Sequence, residues 1–177
     1  MVSEVTLQEI LAFQEKKAAY LATMQRQYTN CIVVCLGLNI AGPRKTDDDI
    51  LYAFKEGCKA IEKVMVEKKL QCIQAKTFRD KAGYAKVYTI TQSNMSSVKK
   101  EMIHIEEEHE LGRLFDIDVY GMGGLGIHRK ELGMPPRRCL LCKKEARVCM
   151  ENRTHSVQEL EKVTHEMISR YKGVRGE

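Results

Sequence analysis

Gly112-Arg113-Leu114-Phe115-Asp116-Ile117-Asp118-Val119 reads as a β-strand that carries an Asp-x-Asp pair. Successive side chains of a strand point to opposite faces, so Phe115, Ile117 and Val119 share one face with Arg113 at its mouth, and Leu114, Asp116 and Asp118 share the other. At a rise of roughly 3.3 Å per residue, positions two apart lie about 7 Å apart. Two carboxylates so placed can lean onto one Mg²⁺, or bridge two ions about 4 Å apart. The apolar face can be buried, which fixes the register and with it the direction of the acids. Asp-x-Asp is common by chance, and solvated edge acids are the bland alternative; the surroundings favour a metal holder for phosphate chemistry.

Upstream, residues from about Met95 to Glu110 form a helical pattern, with Val98, Met102, Ile105 and His109 on one stripe. His109 is a candidate general base facing the acids, or else a packed, hydrogen-bonded core histidine. Farther back, Cys31-Ile32-Val33-Val34-Cys35-Leu36 is a short β-branched apolar run, fitting a strand buried on both faces. It empties into Gly37–Lys45, where glycine lets the backbone come close to a ligand and Asn39, Arg44 and Lys45 could donate to phosphates. The Gly-Lys-Ser/Thr ending of a P-loop is absent. Thr46 with Asp47, Asp48 and Asp49 starts a second helix, the acids reading as caps rather than as a metal site. Residues 71–78 and 86–91 read as strands of a hairpin. The order strand, helix, strand, strand, helix, strand is that of ferredoxin-like split βαβ sheets, closed by the acid strand. Before it, Thr6-Leu7-Gln8-Glu9 is a capping box that opens a helix over about 6–28, whose Leu and Met stripe is expected to be core.

Downstream, four glycines between Gly121 and Gly126 mark a mobile turn, Ile127-His128-Arg129 suggests a short strand, and Pro135-Pro136 a boundary. The spacing Cys139-x₂-Cys142-x₆-Cys149-x₅-His155 can supply three thiolates and one imidazole to a closed structural zinc site. Reduced, partly buried cysteines fit the same spacing. Ser156 caps a last helix with Leu160, Val163 and Met167 on one face and His165 at the surface. The expected organisation is a catalytic region over 1–134 with a Cys/His-containing helical appendage over 135–177 packed on it.

The chain of 177 residues, 44% hydrophobic and 30% charged, has the composition of a globular protein with a proper core. No apolar run approaches the roughly 18 residues of a membrane span. The start, Met1-Val2-Ser3-Glu4, lacks a basic-then-apolar signal layout, and seven cysteines are simplest as reduced thiols, so a cytoplasmic protein is expected. The net charge of +5 is concentrated between Arg129 and Arg147, next to the acids Glu106–Glu108 and Glu110. That juxtaposition suits a polyphosphate held with metal. A zinc-stapled nucleic-acid-binding module is the alternative, but it leaves the acid pair unexplained, and a chain without Trp and only 6% aromatic lacks a stacking platform.

The stretches EEEHELGRLFDIDV (106–119), HRKELGMPPRRCLLCKKEARVC (128–149) and RTHSVQEL (153–160) closely resemble the holo-citrate lyase synthase family, the apo-citrate lyase phosphoribosyl-dephospho-CoA transferases. The resemblance runs from the first helix to the last. Ala41 stands where the family loop usually carries a first proline, and the glycine-rich turn at 121–126 departs from the usual Asp/Pro-containing loop. The resemblance implies transfer of the prosthetic group from triphosphoribosyl-dephospho-CoA to a serine of the citrate lyase acyl-carrier (gamma) subunit, with pyrophosphate leaving. Its partners would be that subunit and that donor, without nucleic acid or membrane; a non-catalytic assembly factor for the lyase is a further alternative. Joined with the residue reading, it makes Asp116 and Asp118 the Mg²⁺ ligands, and Arg113, Arg129, Arg137 and Arg138 the grips on phosphate oxygens. Asn39, Gly42 and Lys45 would line the other side. Either His109 or one aspartate would serve as base. The expected fold is α+β: a ferredoxin-like or nucleotidyltransferase-like mixed sheet with helices on one face.

Overall fold

The computed structural model describes residues 4–91 and 94–176; residues 1–3, part of the start read above for a signal, lie outside them. Helix α1 (Leu7–Gln27) opens on the capping box of Thr6 and Glu9. Strand β1 (Cys31–Leu38), helix α2 (Asp48–Glu67), strands β2 (Cys72–Asp80) and β3 (Gly83–Thr91), helix α3 (Met95–Glu108) and strand β4 (Phe115–Tyr120) follow. Helices α4 (Ala146–Glu151) and α5 (Val157–Arg175) end the chain. The strands lie in the order β2-β3-β1-β4. Every neighbouring pair is antiparallel, so the expected mixed sheet is an antiparallel one.

One face of the sheet presents Ile32, Val34 and Leu36 of β1, Tyr88 and Ile90 of β3, and Phe115, Ile117 and Val119 of β4. Against it pack α2, α3 and α5, contributing Phe54, Ile61, Met102, Ile105, Ile168 and Tyr171 among others. Gly57 lets α2 sit close: a Cβ there would lie 3.1 Å from both Leu36 and Phe115. The other face is not bare. Met24 of α1 packs there with Val33, Cys35 and Val87, and Tyr20, Leu21 and Tyr28 join them. Helices therefore cover both faces rather than one, because β1 alternates between two apolar sets. The α1 stripe is only partly core, since Leu7 is 71% and Leu11 52% exposed.

Helix α5 is tied to α2 by one buried and one half-buried polar contact, among others. Tyr171 Oη donates to Glu56 Oε2 at 3.0 Å, and Lys172 Nζ to Asp49 Oδ1 at 2.6 Å. His165, expected at the surface, contacts Asp49 at 3.1 Å, and the face that α5 buries is Thr164, Ile168 and Tyr171. Glu56 has its pKa below the ordinary 4.5: burial pushes it up, but Lys59 and the Tyr171 hydroxyl outweigh that. A carboxyl with a folded pKa below its unfolded one adds stability above the unfolded value and loses it as pH falls through the folded one. The α2–α5 contact is thus expected to weaken in acid below pH 4.5 and hold at neutral pH. Tyr171→Phe removes a hydrogen bond to a buried charged group and should lower unfolding free energy by about 1.5–3 kcal/mol at pH 7, read by urea denaturation. The difference from the parent should shrink once Glu56 is protonated.

Candidate functional site

Gly112–Leu114 is a 3₁₀ turn, so the strand begins at Phe115 rather than Gly112. Gly112 is tucked under the end of α3, where a Cβ would run into the carbonyl oxygens of Ile105 and Glu106. The turn rotates Leu114 into the core instead of onto the acid face, and from Phe115 the alternation is regular: Phe115, Ile117 and Val119 buried, Asp116 and Asp118 exposed. The two acids share the α1 face, opposite Gly37 and Cys35 of β1.

β4 is an edge strand, and its outward backbone groups are covered by side chains, which blocks pairing with another chain. Glu106 Oε1 of α3 accepts from Ile117 N–H at 2.9 Å, and Lys99 Nζ of the same helix donates to Ile117 O at 2.6 Å. Arg137 donates to Phe115 O at 2.6 Å and Arg113 O at 3.2 Å, and its other arm reaches Asp116 Oδ1 at 3.0 Å. Between these groups opens a cleft of about 580 Å³, lined by Asp116, Asp118, Lys99, Arg129, Lys130 and Arg137 among others. Asp118, which among the described residues accepts only from Tyr120 Oη at 3.4 Å, has its pKa raised by the crowding of protein atoms and then by the Asp116 carboxylate. Both acids are oxygen donors open to solvent, the donor type hard divalent cations take.

The cations predicted to grip phosphate are unequally placed. Arg129 is held by Glu106 and Glu107, and Arg137 by Asp116 and two carbonyls. Arg113 is half-buried and outside the cleft lining; burial and then Arg137 and Arg129 lower its pKa. Arg138 is exposed on the strand-like bridge to Glu145, also outside the lining. The β1–α2 loop lies elsewhere: Gly42, at φ +78°, abuts Glu161 and Val157 of α5, Lys45 Nζ donates to Ile40 O, and Asn39 N–H donates to Leu114 O at 2.8 Å. None of Asn39, Gly42 and Lys45 lines the acid cleft, since Gly42 and Lys45 turn that loop toward α5 and onto itself. His109 lies outside it too. Its Nδ1 accepts from Leu111 N–H at 3.0 Å, its Nε2 lies 3.4 Å from Tyr171 Oη, and its ring packs on Phe115; burial lowers its pKa. Ile127-His128-Arg129 forms no strand; only Gly126 bridges to Tyr120. Lys99 is a buried cleft residue that the sequence pattern does not single out. The available signal was the seven-residue spacing of Lys99 and Glu106 beside the apolar stripe, a second inward-facing row.

Cys139, Cys142, Cys149 and His155 converge, with one ligand atom of each all within 4.8 Å of one another, so the group can hold a metal ion. The Cys142 and Cys149 sulfurs are 3.4 Å apart, and His155 Nε2 is 3.4 Å from Cys142 Sγ. Burial pushes the Cys139 thiol up, but the Leu141 and Cys142 amides and then the neighbouring thiols overcome it, bringing the pKa down to about 7. The Cys/His segment is linked to the cleft where Ala146 N–H donates to Arg137 O at 2.8 Å, and Cys139 N–H closes the segment on itself by donating to Lys144 O at 2.8 Å.

Fold and site together define an α+β protein with an acid-bearing cleft at a sheet edge and a separate Cys/His group. The chain belongs to the family described as apo-citrate lyase phosphoribosyl-dephospho-CoA transferase, which it matches over residues 5–171. It is 34% identical, over 89% of its length and 82% of the relative's, to a Streptococcus pyogenes serotype M18 protein named "Probable apo-citrate lyase phosphoribosyl-dephospho-CoA transferase". A Vibrio cholerae O1 protein of the same name (strain O395) is 33% identical over 76% of this chain and 78% of its own. The chain also matches Protein CitXG of Leuconostoc mesenteroides subsp. cremoris at 31% identity, over 88% of its own length and 33% of that protein. Membership in a transferase family leaves the nucleic-acid-module reading without support. Among the described residues no helix is long and apolar enough to cross a membrane.

Proposed function

We propose that the chain transfers the phosphoribosyl-dephospho-CoA group from its triphosphoribosyl donor to a serine of the citrate lyase acyl-carrier subunit, in the cytoplasm, at the β4 cleft. The observation that carries this is the pair Asp116 and Asp118, both exposed on one face of an edge strand and both opening into a cleft walled by cations. A bond forms between the serine oxygen and the phosphorus next to the ribose, and the bond from that phosphorus to the bridging oxygen breaks. The electron pair leaves with pyrophosphate, and the serine proton passes to a carboxylate or to water. Mg²⁺ held by Asp116 and Asp118 would supply charge neutralisation on the phosphate oxygens. The protein's own part is positioning: Arg137 pins Asp116 and the strand edge, and Tyr120 steadies Asp118.

We read the sheet as ferredoxin-like, supported by two βαβ units that each enclose a strand of the other. The Cys/His group is read as a structural zinc site, since three thiolates and an imidazole fill a tetrahedral ion's coordination. His109, outside the cleft lining and tied to Leu111 and Tyr171, is assigned a packing role. Pyrophosphate release in the presence of donor, carrier subunit and Mg²⁺ tests the proposal, and no release by folded protein would end it. In the same assay His109→Gln should keep kcat within about tenfold, whereas loss of a general base lowers it roughly 10²–10⁴-fold.

A further inference from the structure

The cations of the acid cleft, the exposed Lys130 apart, divide by what already holds them. Arg129 is matched by Glu106 and Glu107, and Arg137 by Asp116 and two backbone carbonyls. Lys99 is different. It is only 6% exposed, its Nζ donates to Ile117 O at 2.6 Å, and among the described residues no carboxylate lies within ion-pair distance of it. An ammonium carries three donors, of which this contact uses one. Burying an unmatched charge is unfavourable, and buried charges are ordinarily paired or hold a ligand.

Glu106, seven residues along the same helix, provides the internal comparison. It takes the N–H of the same Ile117, and its charge is matched by Arg129. Strand capping at Glu106 thus comes with a full ion pair, whereas the Lys99 ammonium makes none among the described residues and acts only at longer range on the Asp118 carboxylate in the same wall, whose pKa it lowers against burial and Asp116. Capping a carbonyl needs a donor, not a charge. Two N–H groups of Lys99, and a charge shared with Asp118 only at a distance, remain for an anion in the cleft.

We infer that Lys99 is a phosphate-binding residue that receives the pyrophosphate end of the donor. The inference rests on the cleft being the polyphosphate site proposed above. As the bond to the bridging oxygen breaks, negative charge gathers on the leaving pyrophosphate, and the free N–H groups of Lys99 donate to its oxygens. A compact ammonium suits this as a point charge, whereas the two arginine forks are already engaged.

The test uses inorganic pyrophosphate with Mg²⁺ as probe, titrated calorimetrically into the parent protein, Lys99→Gln and Lys99→Arg. Glutamine can still donate to Ile117 O but carries no charge. Lys99→Gln should bind pyrophosphate about tenfold or more weakly, with kcat/KM for the donor falling in parallel and Lys99→Arg retaining most of both. A purely structural lysine would shift the melting temperature and leave the pyrophosphate Kd where it was. Binding by Lys99→Gln within about twofold of the parent overturns the inference. A second reading does not depend on how Lys99→Gln folds: the Lys99 ¹³Cε resonance of the parent, assigned by its disappearance in Lys99→Arg, should move on pyrophosphate addition. A resonance that stays put at saturation also overturns it. Failure of the wider proposal looks different, because there the parent protein itself releases no pyrophosphate from the donor with carrier present.

Discussion

Asp118→Asn is expected to lower kcat/KM for transfer by roughly 10³-fold or more, about 4 kcal/mol of transition-state stabilisation, while the protein stays folded. The substitution is nearly isosteric, and among the described residues the Asp118 carboxylate makes one long hydrogen bond, from Tyr120 Oη at 3.4 Å, so little structure depends on it. Its pKa is raised by crowding and by Asp116, which means that the ionised form is disfavoured in the folded state. An acid whose folded pKa exceeds its unfolded one detracts from stability once pH rises above the unfolded value. At pH 7 Asp118→Asn should therefore melt at the parent's temperature or above it, as at sites where function opposes stability. Asp116→Asn should be as inactive but is less clean, because Asp116 also accepts from Arg137 at 3.0 Å. Steady-state kinetics and thermal melts on the same samples check both halves. An Asp118→Asn enzyme with parental turnover would remove the metal-holder role.

Breaking the Cys/His group should have the second large effect. Purified untagged protein is expected to carry about one zinc per chain, and Cys142→Ser less than about a tenth, because Cys142 lies at the centre of the four ligands. Structural zinc sites of this type contribute apparent free energies of about 10–16 kcal/mol in small domains. Here, among the described residues, the stretch 139–142 adds only the partly buried Leu140 to the core of α2, α3 and the sheet, so the loss should be mainly local. It reaches the cleft through Arg137, whose carbonyl accepts from Ala146 N–H and whose guanidinium holds Asp116 and β4. Chelation at neutral pH should lower transfer activity about tenfold or more and expose residues 138–155 to amide exchange, with zinc restoring both. Full activity at a vanishing zinc content would show that the four side chains act without metal.

Much of this layout was legible from residue patterns. Capping boxes, the β-branched run of β1 and the hairpin around Lys81 and Ala82 depend on neighbours in sequence, and they appear where local chemistry puts them. The phase of the acid strand was misread at its start, because Gly112 packs under α3 and forces a turn that period-two reading cannot anticipate. Which cations are free was not legible at all. Arg129 meets Glu106 across 23 residues, Arg137 meets Asp116 across 21, and His165 meets Asp49 across 116, and such pairings exist only after the chain has folded. Lys99 stayed hidden for the opposite reason: a lysine on a helix reads as solvated until the strand edge it covers is in place.

The most direct measurement is the intact mass of the acyl-carrier subunit after incubation with this protein, the triphosphoribosyl donor and Mg²⁺. The account predicts a carrier heavier by one phosphoribosyl-dephospho-CoA group, with the addition abolished when its serine is replaced. A carrier of unchanged mass, with folded enzyme and intact donor, would contradict it.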